Sequence, residues 1–146
     1  MSRIDVEVPI AAAPAVVWAH LADIPSHVEW MADAVDIRFV TERHEGVGVR
    51  FDCDTKVGPL RLVDRMEVTE WEPERRMGVR HVGLVTGSGT FSLRADGPGS
   101  TTMTWSEDLR FPWWLAGRLG AWVARPVLSR IWRGNLRRLR ERVERA

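Results

Sequence analysis

Residues Val6–Met31 read VEVPIAAAPAVVWAHLADIPSHVEWM. Val6 and Val8 alternate with Glu7 and continue from Ile4, the period of a half-buried strand over Ile4–Pro9. Pro14 follows closely, where its missing N–H and fixed φ suit the first turn of a helix. Val17, Trp18 and Leu21 give that helix an apolar edge, and it runs to about Leu21. Pro25 then opens a second short helix that ends near Met31. A strand breaking directly into two small helices is an uncommon start for a domain, and it restricts the fold more than any other stretch.

The chain beyond it reads as strands separated by regular punctuation. Val35, Ile37 and Phe39 alternate with Asp36 and Arg38. Gly46 and Gly48 bracket a turn, after which Val49, Phe51, Cys53 and Thr55 alternate with charged residues. Gly58-Pro59 leads into a long strand, Leu60–Trp71, and Glu72-Pro73-Glu74 into Met77–Thr86. Gly87-Ser88-Gly89 reads as a further turn before Thr90–Ala95, and Asp96-Gly97-Pro98-Gly99 as one before Thr101–Phe111. From Trp113 to Arg145 the spacing is helical, with Leu115, Leu119, Trp122, Pro126, Ile131, Leu139 and Val143 near one stripe. Pro126 predicts a kink or break about one turn before it. The expected architecture is α+β: a curved antiparallel sheet of six or seven strands around a long C-terminal helix, with two short helices after the first strand.

Composition narrows the function classes. The 146 residues suit a single domain with a sizeable core, spanning 1–146. Uncharged runs are too short for a membrane span, and Met1-Ser2-Arg3 leads into a strand pattern rather than a signal peptide. Cys53 stands alone, which excludes an internal disulfide and suits a reducing cytoplasm. The net charge of +1 conceals an asymmetry. Met1–Trp114 holds 12 Lys and Arg against 18 Asp and Glu, whereas Leu115–Ala146 holds 9 Arg against Glu141 and Glu144 alone. A basic solvated helix face, placed well for its own dipole, accounts for this excess. An anionic partner is the other reading.

At this point the chain resembles a known family. Val8-Pro9-Ile10, Ala13-Pro14, Val17-Trp18 and Leu21-Ala22-Asp23 carry the resemblance first. Trp30-Met31, the Gly46-Val47-Gly48 turn, the Trp71-Glu72-Pro73 strand end and the Gly97–Thr101 hairpin continue it. The order is similar to the helix-grip fold of the START/Bet v 1-like superfamily, and most similar to its polyketide cyclase/dehydrase-like branch of small bacterial proteins. The resemblance covers nearly the whole chain and implies a cavity between the concave sheet face and the C-terminal helix.

Alternation suggests the lining of that cavity. Val49, Phe51 and Cys53, then Leu62, Asp64 and Met66, are inward candidates. His81, Gly83, Phe91, Met103, Trp105 and Glu107 follow, with Trp122 and Ile131 from the helix. His81, Asp64 and Glu107 are the candidate acid–base set, since ring closure by aldol chemistry needs a base for a C–H and a donor for a carbonyl. The bland alternative is that Glu107 pairs with an arginine, Asp64 faces solvent and His81 is simply hydrogen-bonded. No metal and no cofactor is expected, because His20, His27 and His44 lack ligand-like spacing with Cys53 or each other.

Trp113-Trp114 lies beside the mouth such a fold would have. The pair either caps the barrel or, with Arg118 and Arg125, forms a lip that touches a membrane transiently. No nucleic-acid-reading motif accompanies the arginines. Exposed helix or edge-strand faces are compatible with a homodimer, although no feature demands one. The leading expectation is therefore binding or transfer of a hydrophobic small molecule (a lipid, polyketide or aromatic compound). The alternatives are a cofactor-independent cyclase or dehydratase, and an interaction module using the basic helix with the cavity collapsed.

Overall fold

Seven alternating stretches pair into one antiparallel sheet in the computed structural model, which describes residues 3–145. The strands are β1 (Ile4–Ile10), β2 (Ala34–Phe39), β3 (Arg50–Val57), β4 (Leu60–Glu72), β5 (Arg76–Val82), β6 (Thr86–Gly97) and β7 (Ser100–Arg110). Their order across the sheet is β1-β7-β6-β5-β4-β3-β2, so only β1 crosses over, to join the far edge beside β7. Strict alternation in β1 buries Ile4, Val6, Val8 and Ile10. Helix α1 (Pro14–Ala22) starts on Pro14 and buries Val17, Trp18 and Leu21, with Trp18 packed edge-on against Trp71. The second short helix is a 3-10 helix, Ile24–Glu29.

Two sequence expectations are corrected here. Gly87-Ser88-Gly89 is not a turn: it lies inside β6, while the bend is Gly83-Leu84-Val85. Glycine at these positions answers to crowding from β7. A Cβ on Gly87 would stand 1.9 Å from the Asp108 carbonyl oxygen, and its φ of +115° also demands glycine. Gly83 lies in the bend against Arg65 rather than on the cavity wall.

The C-terminal helix is two helices, α2 (Trp113–Val123) and α3 (Arg125–Arg145), joined at an extended Ala124. The break falls closer to Pro126 than a full turn. Proline is tolerated in a first helical turn, but further along a continuous helix its ring would strike the carbonyl of Trp122. The break resets the phase, so the buried stripe of α3 is Leu128, Trp132, Asn135, Leu136, Leu139 and Val143. Ile131 sits at its margin, half-buried against the main core rather than on the cavity wall.

Polar ties lock α3 in place. Asn135 accepts from the Ala32 backbone N–H at 2.9 Å and donates to Asp33 at 2.8 Å. Arg138 Nε donates to the Trp30 carbonyl at 3.0 Å, so this arginine is not part of a free basic face. At the far end Glu144 accepts from the Ala11 N–H. Helix α2 packs Leu115 and Val123 against Leu60, and Trp122 lies over Gly58, where a Cβ would meet its ring at 2.4 Å. Among the described residues, no helix is long and apolar enough to cross a membrane.

Candidate functional site

The curved sheet and α3 enclose a cavity of about 120 Å³. Phe51, Cys53, Leu62, Met66, Phe91 and Trp105 form wall from the sheet, as alternation predicts. From the helices the wall is Val123, Leu128 and Trp132, not Trp122 and Ile131, because the helical phase is interrupted at the non-helical Leu119 and again at Ala124. Trp122 instead lies 44% exposed over the β3–β4 turn. Val49 and Met103 are fully buried but do not reach the cavity. Val49 packs with Ile24, Phe51 and Val68, and Met103 sits in the main core. Trp113 and Trp114 are 85% and 42% exposed and are not cavity wall; they stand on the first turn of α2.

The acid–base candidates meet at one point on that wall. His81 Nδ1 lies 2.9 Å from both carboxylate oxygens of Asp64, and its Nε2 lies 3.0 Å from Glu107 Oε2. Trp105 Nε1 donates to Glu107 Oε1 at 3.0 Å. Strand order explains the meeting. Asp64 and His81 come from neighbouring strands β4 and β5, whereas Glu107 on β7 must reach across β6. It does so over Gly89, its direct partner in the ladder, whose bare backbone leaves the space the carboxylate fills. Burial opposes a charge on His81, but hydrogen bonds to Asp64 and Glu107, and their charges, outweigh it and push its pKa up to about 10.

Gly89→Ala is expected to evict Glu107, because the new Cβ would lie 2.4 Å from Oε1 of a side chain anchored at both oxygens. Overpacking of this kind costs about 1–3 kcal/mol. The His81 pKa, followed by NMR, should fall with it; an unchanged titration would show that Glu107 keeps its place.

Four other polar residues, Asp33, Thr55, Thr90 and His27, line the cavity and were not site candidates in the sequence. Asp33 accepts from Asn135 and, at 3.4 Å, from Trp132 Nε1, while burial raises its pKa. Its partner Asn135 was legible in principle, as a polar residue on an otherwise apolar helical stripe. Thr90 adds a hydroxyl to the wall. His27 hydrogen-bonds the Leu21 carbonyl through Nε2 at 2.8 Å, and its ring packs tilted on Trp30 at 5.1 Å. Burial lowers its pKa to about 4. The Cys53 thiol is pushed up to about 12 by burial, which makes it wall rather than nucleophile.

His27 sets an acid limit. Its folded pKa lies below that of an unfolded imidazole, so the unfolded chain binds the extra proton as pH falls from about 6.5 to about 4. About 3 kcal/mol of folding free energy should disappear across that window. Urea unfolding at intervals between those pH values measures it, and a flat profile there would contradict a neutral His27.

The same architecture occurs in solved structures. A protein from Thermus thermophilus superposes with a TM-score of 0.82 at 18% identity, over 98% of this chain and 97% of that one. A START superfamily protein from Mycobacterium smegmatis gives 0.80 at 14% identity, over 98% and 97%. The Zhui aromatase/cyclase from a Streptomyces species gives 0.78 at 16% identity, over 99% and 94%. At these identities the likeness concerns the fold, a helix-grip arrangement of the START/Bet v 1 kind. No curated protein matches by sequence. A family model does match, over residues 1–144. The chain belongs to the polyketide cyclase / dehydrase and lipid transport family.

Proposed function

We propose that this protein binds a hydrophobic small molecule in the cavity between sheet and α3. The observation that carries this is the cavity itself: its wall is mostly apolar and aromatic, and its polar side chains include one focused cluster, Asp64–His81–Glu107. That combination is the usual form of a small-molecule site. At about 120 Å³ the space suits a compact ring compound better than a long lipid chain, since a dry cavity of roughly 150 Å³ holds benzene. Native mass spectrometry of the purified chain, followed by titration of an apolar ring compound against tryptophan fluorescence, tests the reading. A ligand-free protein that takes up no such compound would defeat it.

Loading would proceed past α2, which covers the Leu60 end of the sheet and carries exposed Trp113 and Trp114 beside Arg118. In this reading the tryptophan pair touches an anionic bilayer while ligand is exchanged. A Trp113→Ala, Trp114→Ala double variant should then bind phosphatidylglycerol vesicles about tenfold more weakly in cosedimentation. Equal binding by the variant would remove the membrane role.

A second reading, a cofactor-independent cyclase or dehydratase, is favoured by the convergence of three titratable groups on one cavity wall. With His81 held as imidazolium at neutral pH, a carboxylate would act as the base and His81 would orient it. Turnover of a poly-β-ketone analogue that survives intact in both Asp64→Asn and Glu107→Gln variants would exclude chemistry through this cluster.

A further inference from the structure

The hydrogen-bonding capacity of the cavity wall is lopsided. The imidazole and indole N–H groups on it are already engaged: His27 Nε2 with Leu21, His81 with Asp64 and Glu107, Trp105 with Glu107, and Trp132 with Asp33. Apart from the Thr90 hydroxyl, which can donate or accept, what remains is acceptor capacity. A carboxylate offers about four lone-pair sites. Asp64 accepts on this wall from His81 alone, and Glu107 from His81 and Trp105. His27 supplies an independent pointer. It is 5% exposed, donates through Nε2, and so presents Nδ1 as a bare acceptor with no partner among the described residues.

Charge leans the same way. The Asp64–His81–Glu107 cluster sets two carboxylates against one imidazole, and Asp33 adds a third acid to the cavity. Among the described residues, no lysine or arginine lines it. An anionic ligand would therefore be repelled in a poorly solvated space. A cation with N–H donors would meet those acceptors in a wall that also holds the aromatic rings of Phe91, Trp105 and Trp132.

We propose that the ligand is a small aromatic amine whose ammonium group sits on Asp64 and Glu107 and whose ring lies among the aromatic residues. This rests on the cavity-binding reading above and adds the sign and donor character of the ligand.

The test compares matched probes on the full chain by isothermal titration calorimetry at pH 7.4: 2-phenylethylamine, 2-phenylethanol and phenylacetate, with toluene as the apolar reference. The amine should bind at least about tenfold more tightly than the alcohol, and the acid more weakly than either. In Asp64→Asn the amine-to-alcohol ratio should fall below about threefold, with circular dichroism reporting that the variant is folded. Phenylacetate binding as tightly as the amine to the natural chain would overturn the proposal without recourse to any variant. Toluene binding with no preference for the amine defeats this inference and leaves cavity binding standing. Failure of all four probes to bind defeats the cavity-binding reading, and this inference falls with it.

Discussion

Replacing His81 by alanine is expected to destabilise the fold by about 3–5 kcal/mol at pH 7, the range for breaking a buried ion pair by removing one partner. The variant leaves Asp64 and Glu107 in a poorly solvated wall without the group that separates them. In the natural chain the cluster's contribution depends on pH through His81. Its folded-state His81 pKa, about 10, exceeds the roughly 6.5 of an unfolded imidazole. The stabilisation is therefore complete below pH 6.5 and is lost as pH rises through 10. Together with the acid limit set by His27, this places the stability maximum contributed by the two histidines near pH 6.5. Urea unfolding of both proteins from pH 5 to pH 10 measures it. A variant as stable as the natural chain at pH 7 would show that the cluster contributes nothing to folding.

Trp132→Ala carries the second large effect, about 3–5 kcal/mol for a buried tryptophan truncated to alanine. Trp132 is 4% exposed and stacks on Trp105 with ring centroids 5.2 Å apart at 24°. Its removal deletes part of the cavity wall and the indole donor to Asp33. The enlarged cavity should admit two-ring compounds that the natural chain binds poorly, so affinity for naphthalene should rise relative to toluene. Chemical denaturation gives the first quantity and fluorescence titration the second. A stable variant with unchanged size preference would mean that the wall collapses onto the space.

Much of the cavity wall was legible because strand alternation needs only a period and a starting phase. Phe51, Cys53, Leu62, Met66 and Trp105 follow from it, and the same period points Asp64, His81 and Glu107 inward. The helical side was not legible in the same way. A stripe read across Trp113–Arg145 assumes one continuous phase, and the non-helical Leu119 and extended Ala124 destroy that assumption. Trp132 thereby replaces Ile131 on the wall, and Trp122 turns outward onto Gly58. Glycine was misleading for a related reason. Local sequence reads Gly87-Ser88-Gly89 as a turn, whereas its glycines answer to Asp108 and Glu107 on β7.

Residues near in sequence settled the elements themselves: the opening strand, proline-started helix and short second helix, the alternating strands, and the long amphipathic C-terminus. Those are consequences of backbone preference and periodicity, which act over a few residues. Tertiary structure alone decided that Asp64, His81 and Glu107 share hydrogen bonds, that a glycine on an intervening strand makes room for it, and that Asp33 meets Asn135 across 102 positions. Strand register and helix phase add up along the chain. A bulge or a break anywhere between two residues changes whether they meet, and only the folded chain fixes that sum.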